Sequence, residues 1–468
     1  MFFSSFQSMF PNHRRAKRST KRWSQSRLGV EQFEDRVTPS HAASIEGVPL
    51  TSPEGTSIAL TGVATGATTP TYEWTVIKDG GSTPFATGTG ANFTFTPNDN
   101  GSYVVTLVVS DTDPNDPSGT SHTATDTETI TVTNVPPTAT LSGSTLGVRG
   151  QTLSFTLGAT DPSTVDTAAG FTFNIDWNGD GTVDQTVTGP SGTVVTHVYE
   201  TEGANTVKVT ATDKDGGVSN EVSQTVEVKV ATLMDDPLNP GKKLLAVGGT
   251  TGNDTIVLNP SRGVKVLIGG VSYGNFAGAQ RIAVYGQAGD DNIQLAGAIR
   301  TSAWLFGGDG NDRLKSGAGH DVVVGGAGND QIHGHTGNDI LIGGDGADQL
   351  NGGPGDDILI GGTTNYDSDE AALWQILKKW STGGNYANRV AALRTGTPLL
   401  NATTVQNDGD ADQLHGASGR EWYFADLPQD VIHGNTKGLF INDADTPVGH
   451  PGKGKGPGGN SGKGNGKK

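Results

Sequence analysis

Aspartate recurs every nine residues between positions 307 and 360, at Asp312, Asp321, Asp330, Asp339, Asp348 and Asp357. The residues between them keep the same phase. The segment divides without a gap into six blocks: GGDGNDRLK, SGAGHDVVV, GGAGNDQIH, GHTGNDILI, GGDGADQLN and GGPGDDILI. Every block has Gly at its fourth position, Asp at its sixth and an aliphatic residue at its eighth (Leu314, Val323, Ile332, Leu341, Leu350, Leu359). Disordered low-complexity chain holds a composition but not a phase, so the pattern predicts an ordered coil.

The chemistry follows from stacking. The last three residues of a block suit a short strand, and the glycines at positions 1, 2 and 4 predict positive-φ turns that face carbonyl oxygens inward. With one block in each of two sheets, same-side aspartates fall 18 residues apart: Asp312, Asp330 and Asp348 on one edge, Asp321, Asp339 and Asp357 on the other. Carboxylates at strand spacing, about 4.8 Å, repel by roughly 3 kcal/mol per pair at an effective dielectric of about 20. Two such pairs on each edge rival the roughly 5 to 15 kcal/mol that holds a whole domain. A bare coil is therefore not expected to hold. A hard cation taking six to eight oxygens from adjoining turns removes the repulsion, and metal binding becomes folding.

The donor set selects the cation. Residues 307–362 contain nine Asp, no Glu and two basic residues, and the chain has no Cys. All-oxygen ligation disfavours zinc and copper, and magnesium demands stricter octahedral geometry with retained water. His320, His333 and His335 fall at positions 5, 9 and 2 of different blocks, so they predict solvent-facing side chains. The expected cofactor is calcium. Isolated copies of the block, GTTGNDTIV (249–257), GQAGDDNIQ (286–294) and NDGDADQLH (407–415), add Asp254, Asp291 and Asp412 as further candidate ligands.

This nonapeptide resembles the RTX, or hemolysin-type, calcium-binding repeat. The resemblance implies a parallel β-roll, secretion in an unfolded state, and folding on meeting extracellular calcium. Ser316 and His335 replace glycine at positions 1 and 2, and Ala347 and Asp356 vary the fifth.

Upstream, residues 41–230 read as short alternating strands separated by turn signals, the pattern of β-sandwiches. In a first unit Tyr103, Val105, Leu107 and Val109 share one face, Ile130 and Val132 follow, and Trp74 is the expected core aromatic. The Pro pair in NVPPTATLSG (134–143) marks a boundary. In a second unit Phe171, Phe173 and Ile175 share a face, with Trp177 beyond them and Val207, Val209 and Ala211 in a later strand. FNIDWNGDG (173–181) followed by HVYETEGANTVKVTATD (197–213) resembles the polycystin-type, or PKD, immunoglobulin-like domain; the first unit keeps mainly the GSYVVTLVVSD strand. The resemblance implies non-catalytic extracellular spacers and adhesive modules.

Downstream, DSDEAALWQILKKW (367–380) and ANRVAALR (387–394) have helical spacing. The nonapeptide then returns in degraded form, with Asp412 and Glu421 at its sixth position. These coils, the helical insert and Trp422, Tyr423 and Phe424 are expected to cover the open end of the roll.

The expected fold is mainly β: two Ig-like β-sandwiches followed by a parallel β-roll with a small helical insert near the C-terminus. The expected segments are a basic export segment (1–40), sandwiches at 41–135 and 136–230, a β-rich transition (231–306), the roll (307–362), the helical insert (363–406), capping coils (407–440) and a Gly/Lys tail (441–468). Composition agrees, with 70 Gly, 22 Pro and only 33% hydrophobic residues in 468. VEQFEDR (30–36) resembles the L-E-x-L-E-D-R segment that opens many exported bacterial proteins, which implies an extracellular or cell-surface location.

Charge bounds the partners. The formal net charge is −17, yet residues 1–36 carry eight Lys/Arg against three acids and residues 451–468 carry five Lys and no acid, so the body between is more acidic than the total. Such a body repels nucleic acid and attracts cations. The basic tail leaves two readings open, acidic surface polysaccharide as a partner or an inert solvated tail; other cell-surface proteins are a further candidate class of partner. No run of 18 apolar residues predicts a transmembrane segment.

Other motifs are weighed against plainer readings. Asp176, Asn178, Asp180 and Asp184 match the opening of an EF-hand loop, but Val187 stands where a closing carboxylate belongs. A tight turn and a calcium site at Asp176 and Asp180 both stay open. GVSYG (270–274) fits a nucleophile elbow around Ser272, but no helix pattern follows it. No H-E-x-x-H or phosphate-binding loop occurs. The expectation is a protein without an active site; carbohydrate binding by the sandwiches, through exposed aromatics such as Tyr72, and a hydrolase with unrecognised residues are the alternatives.

Overall fold

The computed structural model describes residues 41–112, 121–427, 429–434 and 439–441. The expected export segment and the Gly/Lys tail beyond 441 lie outside them. The chain forms two compact units, one from residues up to Val48 with 59–94 and 104–129, the other from 49–58, 95–103 and 130 onward.

The first unit is antiparallel. Ala42–Glu46 pairs with Ile58–Thr65, and Thr71–Lys78 with Ala86–Thr89. Alternation buries Trp74, Val76, Val105, Leu107 and Val109. Trp74 stacks on Phe93 at 5.3 Å, and its indole N–H donates to the carbonyl of Gly90 at 2.8 Å, so the ring is buried with its polar edge satisfied.

The second unit begins with a sandwich of a five-stranded and a three-stranded sheet spanning residues 138–229. Phe155, Phe171, Phe173, Ile175, Trp177, Val207, Val209 and Ala211 form its core. A six-residue helix, α1 (Thr164–Ala169), joins two of its strands; Ser163 caps it by accepting the N–H of Asp166. Fewer than two turns of helix are too short to leave a periodic signal in the sequence.

The rest of the unit is a roll of two nine-stranded sheets. Antiparallel hairpins start both sheets, with 231–235 against 243–248 and 255–260 against 264–268 and 271–276. From there every pairing is parallel. Trp304 pairs Val322, Val322 pairs Ile340 and Ile340 pairs Ile358, while Arg313, Gln331 and Gln349 align in the opposite sheet. Each coil thus advances 18 residues, and the eighth-position aliphatics, all buried, fill the space between the sheets. Ser272 lies in one of the starting hairpins with no helix after it, which removes the nucleophile-elbow geometry.

Two helices leave the coil after Ile360: α2 (Glu370–Thr382), capped by Asp369, and α3 (Tyr386–Thr395), capped by Asn385. Their placement corrects the expectation that they cover the open end. Leu373, Ile376, Leu377, Trp380, Val390 and Leu393 pack on the outer face of one sheet, against Trp304, Val322, Val324, Ile340, Ile342, Ile358 and Ile360. Trp422–Phe424 is itself the next strand of that sheet, paired with Ile358–Ile360. The reason lies in blocks such as GNDILI, which are apolar at positions 7, 8 and 9 and so make a strand needing cover on both faces. Arg281 fixes the start of α2: buried beneath it, the guanidinium bonds Asp236 at 2.8 Å and Glu370 at 3.1 Å and lies 4.7 Å over the Trp304 ring.

Candidate metal centre

The turns connecting the sheets carry two ladders of buried carboxylates. On one edge the backbone N–H of each aspartate donates to Oδ1 of the next: Asp254 to Asp291, Asp291 to Asp312 and Asp312 to Asp330, each at 2.7 Å, then Asp330 to Asp348 at 2.8 Å and Asp348 to Asp412 at 2.9 Å. Asp412 donates to Asp430 at 3.1 Å and ends the ladder. On the other edge Asp321 donates to Asp339 and Asp339 to Asp357, both at 2.9 Å. Glu421 lies beyond Asp357; its strand neighbour Trp422 donates its N–H to the carbonyl of Asp357.

Each interior aspartate therefore spends one oxygen on the backbone of the adjoining coil. The other oxygen, Oδ2 of Asp291, Asp312, Asp321, Asp330, Asp339, Asp348, Asp357 and Asp412, is buried with no hydrogen-bond partner among the described residues. The ends differ. Oδ2 of Asp254 accepts from Thr250, and Oδ2 of Asp430 accepts the N–H of Asp426, so the long ladder is sealed at both ends by local bonds.

The space beside the orphaned oxygens is kept by the first glycine of each block. A Cβ on Gly325 would stand 2.1 Å from Asp330 Oδ2 and 2.4 Å from the carbonyl oxygen of Gly343; on Gly307 the corresponding distances are 2.1 Å to Asp312 Oδ2 and 2.5 Å to Gly325 O. Carboxylate and carbonyl oxygens thus converge on a place that any side chain would fill. This corrects the expectation of positive φ at positions 1, 2 and 4: the first glycine never adopts it, the second and fourth do on the Asp312 edge, as at Gly326 (+118°, over the carbonyl of Gly308) and Gly328 (+119°), and on the Asp321 edge Gly317 and the fourth glycines Gly319, Gly337 and Gly355 do not. Ser316 is the exception at position 1. Its hydroxyl donates to the carbonyl oxygen of Gly334 at 2.7 Å and occupies part of the corresponding place.

Burial sets the electrostatics. Desolvation pushes Asp312 up to about 6, Asp330, Asp291 and Asp412 to about 7, and Asp348 to about 8. On the other edge Asp321, Asp339 and Asp357 are all raised by burial, and Asp339 further by the carboxylates of its two neighbours. Burial away from water is thus the main reason these acids resist ionising, and repulsion from a ladder neighbour adds to it at Asp291, Asp330, Asp339, Asp348 and Asp412. Orphaned hard oxygens, converging carbonyls and absent nitrogen or sulfur donors fit calcium.

The remaining candidates are placed differently. Both carboxylate oxygens of Asp176 accept backbone N–H bonds, from Gly179 at 2.6 Å and Gly181 at 2.8 Å, and Asp180 accepts from Thr182. Those acids close a turn. His320 and His335 are exposed and His333 half-buried; His320 accepts the N–H of Asn338 through Nδ1 at 2.9 Å, and none of the three joins a carboxylate ladder. Asp430 extends the long ladder, whereas Glu421 stands beyond Asp357 with both carboxylate oxygens buried and, among the described residues, unpartnered; the signal for Asp430 in the sequence is only an Asp two residues before an aliphatic, because LPQDVIHG lacks the fourth-position glycine.

Comparison with known families finds a PKD domain in residues 134–230 and the RTX calcium-binding nonapeptide repeat in residues 304–332 and 333–365. The chain thus carries both modules, which are structural or binding modules and not catalytic ones, and the RTX repeats imply calcium binding. Similar solved structures include the PKD domain of an M14-like peptidase from a Thermoplasmatales archaeon (24% identity, 20% of this chain and 98% of that one, TM-score 0.18). Others are the fibronectin(III)-like modules of Clostridium thermocellum CbhA (18%, 40% and 94%, TM-score 0.18) and the D00-D0 domain of intimin (14%, 41% and 100%, TM-score 0.20). Comparison with curated proteins finds no match.

Proposed function

We propose that the roll is a calcium-driven folding module of a non-catalytic extracellular or cell-surface protein with a structural or adhesive role, and that Asp312, Asp330 and Asp348 on one edge and Asp321, Asp339 and Asp357 on the other are its principal ligands, with Asp291 and Asp412 extending the first set. The observation that carries this reading is the row of buried Oδ2 atoms without partners, each but that of Asp321 beside a glycine that leaves room for an ion. Asp176 and Asp180 take no part in it. The sandwiches serve as spacers, and the partners are surface polysaccharide or other cell-surface proteins.

Carbohydrate binding by the sandwiches has less support. Tyr72 is half-buried against Gly62, and the large apolar side chains exposed on the sandwiches, Leu50, Val183, Val194, Val198 and Val218, include no aromatic. No exposed aromatic offers a stacking platform for a sugar ring among the described residues of the sandwiches.

The test is circular dichroism of the full chain, first in chelator and then through millimolar calcium. The reading expects a gain of β signal with cooperative onset, on top of a constant contribution from the sandwiches. A spectrum identical in chelator and calcium would overturn it.

A further inference from the structure

A second set of clustered acids lies outside the roll, among residues far apart in sequence. Glu54, Asp161 and Asp166 each bring a carboxylate oxygen to within 4.8 Å of the others, and Asp99, Asp166 and Asp215 form a second such group. The two groups share Asp166. They are held together by packing as well as by charge: Gly55, beside Glu54, stands so close to Pro162 that a Cβ on it would lie 2.6 Å from that ring, and Ser163 donates its hydroxyl to the carbonyl of Asn98 at 2.8 Å.

The groups differ in their counter-charge. Lys214 serves the second, with its ammonium 2.8 Å from Asp99 Oδ1, 3.3 Å from Asp166 Oδ1 and bonded also to Asp215. One cation therefore already sits in that triad. In the first triad, Glu54 gives Oε1 to the N–H of Val135 at 2.7 Å and Asp161 gives Oδ1 to the N–H of Ser163 at 2.7 Å. Their second oxygens, Glu54 Oε2 and Asp161 Oδ2, together with Asp166 Oδ2, are buried and have no hydrogen-bond partner among the described residues. Asp166 is 0% exposed and Glu54 1%. Three carboxylates, those of Glu54 and Asp166 buried and that of Asp161 half-buried, thus crowd together with an unpartnered oxygen each, and with Lys214 offsetting only the charge of Asp166 they would repel.

We propose that Glu54, Asp161 and Asp166 form a calcium site separate from the roll. Oxygens sharing one calcium at 2.3 to 2.6 Å lie no more than about 5 Å apart, which is the spacing of this triad. The donors are oxygens only, and three carboxylates around one ion suit a hard divalent cation. Magnesium would retain several waters, for which oxygens this buried leave little room. The bound ion ties the segment around Glu54 to the loop and helix α1 that carry Asp161 and Asp166. The ammonium of Lys214 lies by Oδ1 of Asp166, which leaves Oδ2 available to the ion.

The experiment uses the full chain, stripped of metal and then returned to calcium. Bound calcium is counted by native mass spectrometry in the wild type and in the double variant E54Q/D161N, and the roll is followed in both by its far-ultraviolet response. The variant is expected to bind one calcium fewer while the response of the roll to calcium is unchanged. In the wild type, amide hydrogen exchange across residues 161–167 is expected to slow on adding calcium, by about tenfold at ten times the dissociation constant. An equal count in the two proteins, or exchange at 161–167 that ignores calcium in the wild type, overturns the site. The exchange measurement needs no substitution, so it decides the matter even if the variant does not fold, and neither readout depends on how many ions the roll holds.

Discussion

The backbone N–H of Asp312 donates to Oδ1 of Asp330, 18 residues further on, at 2.7 Å, and so splits the work of one carboxylate. Oδ1 of Asp330 sets the register between coils; Oδ2, buried and unpartnered, is left for a cation. An amide oxygen accepts that N–H as well as a carboxylate does, but carries no charge. Asp330→Asn is therefore expected to keep the coil register and lose the ion. Its calcium midpoint, followed by circular dichroism of the full chain, should rise at least about tenfold, as for other disrupted metal sites. In chelator the variant should be no less stable than the wild type, because one member of a repelling stack is gone. A variant that melts lower in chelator and keeps the wild-type midpoint would contradict this division of labour.

The glycines of one block separate two requirements. Gly325→Ala puts a methyl group 2.1 Å from Asp330 Oδ2 at a residue whose φ is not positive, whereas Gly326→Ala strains a residue at +118° and meets the carbonyl of Gly308. The first change is expected to raise the calcium midpoint, and to cost more stability in calcium than in chelator, where its methyl still meets the carbonyl of Gly343. The second should lower melting temperature with or without calcium, because the strain belongs to the backbone. Melting curves of both variants in chelator and in calcium distinguish the two patterns. Ser316→Gly is the converse case and should strengthen calcium binding on the edge that holds Asp321.

Proton and calcium compete for the same oxygens. Asp312, Asp330 and Asp348 are pushed up to about 6, 7 and 8 in the fold, against about 3.9 in an unfolded chain. A raised carboxyl contributes most to the metal-free fold below about pH 4, where it is protonated in both states, and that contribution is lost as the pH climbs through the folded values. In chelator the roll should melt at a lower temperature at pH 8 than at pH 5. With calcium the order should reverse, since ligation needs the ionised form and affinity then rises with pH. Calorimetry at both pH values, with and without calcium, checks the sign.

How much of this was legible follows from range. The phase of Asp312, Asp321 and Asp330 is written within nine residues, so it gave the two sheets, the 18-residue coil and the oxygen donors. The face that binds the helices was equally local and went unread. Val322 and Val324, Ile340 and Ile342, and Ile358 and Ile360 flank the inward residue on one sheet, where Arg313 and Lys315, Gln331 and His333, and Gln349 and Asn351 flank it on the other. That contrast marks one sheet as covered and the other as wet. Asp348 and Asp412, by contrast, are adjacent in the ladder but 64 residues apart in sequence, since the helices are inserted between their coils. Glu54, Asp161 and Asp166 share no local pattern at all, and only the folded chain brings them together.

Trp380 tests whether the helical cover is structural. Its ring is fully buried, 5.9 Å from that of Trp422, with the Arg389 guanidinium 4.7 Å over it, and its indole N–H donates to the carbonyl of Asp356 at 2.6 Å. Asp356 adjoins the ladder residue Asp357 but is not in the ladder, and Trp380 touches none of the orphaned oxygens. Trp380→Ala removes a large apolar group and leaves a cavity between α2 and the sheet, at a cost of about 3 to 5 kcal/mol. The loss should appear equally in chelator and in saturating calcium, as a lower melting temperature with an unchanged number of bound ions. Were the helices instead part of the ion-binding apparatus, the variant would lose calcium along with stability, and native mass spectrometry of the folded protein separates the two.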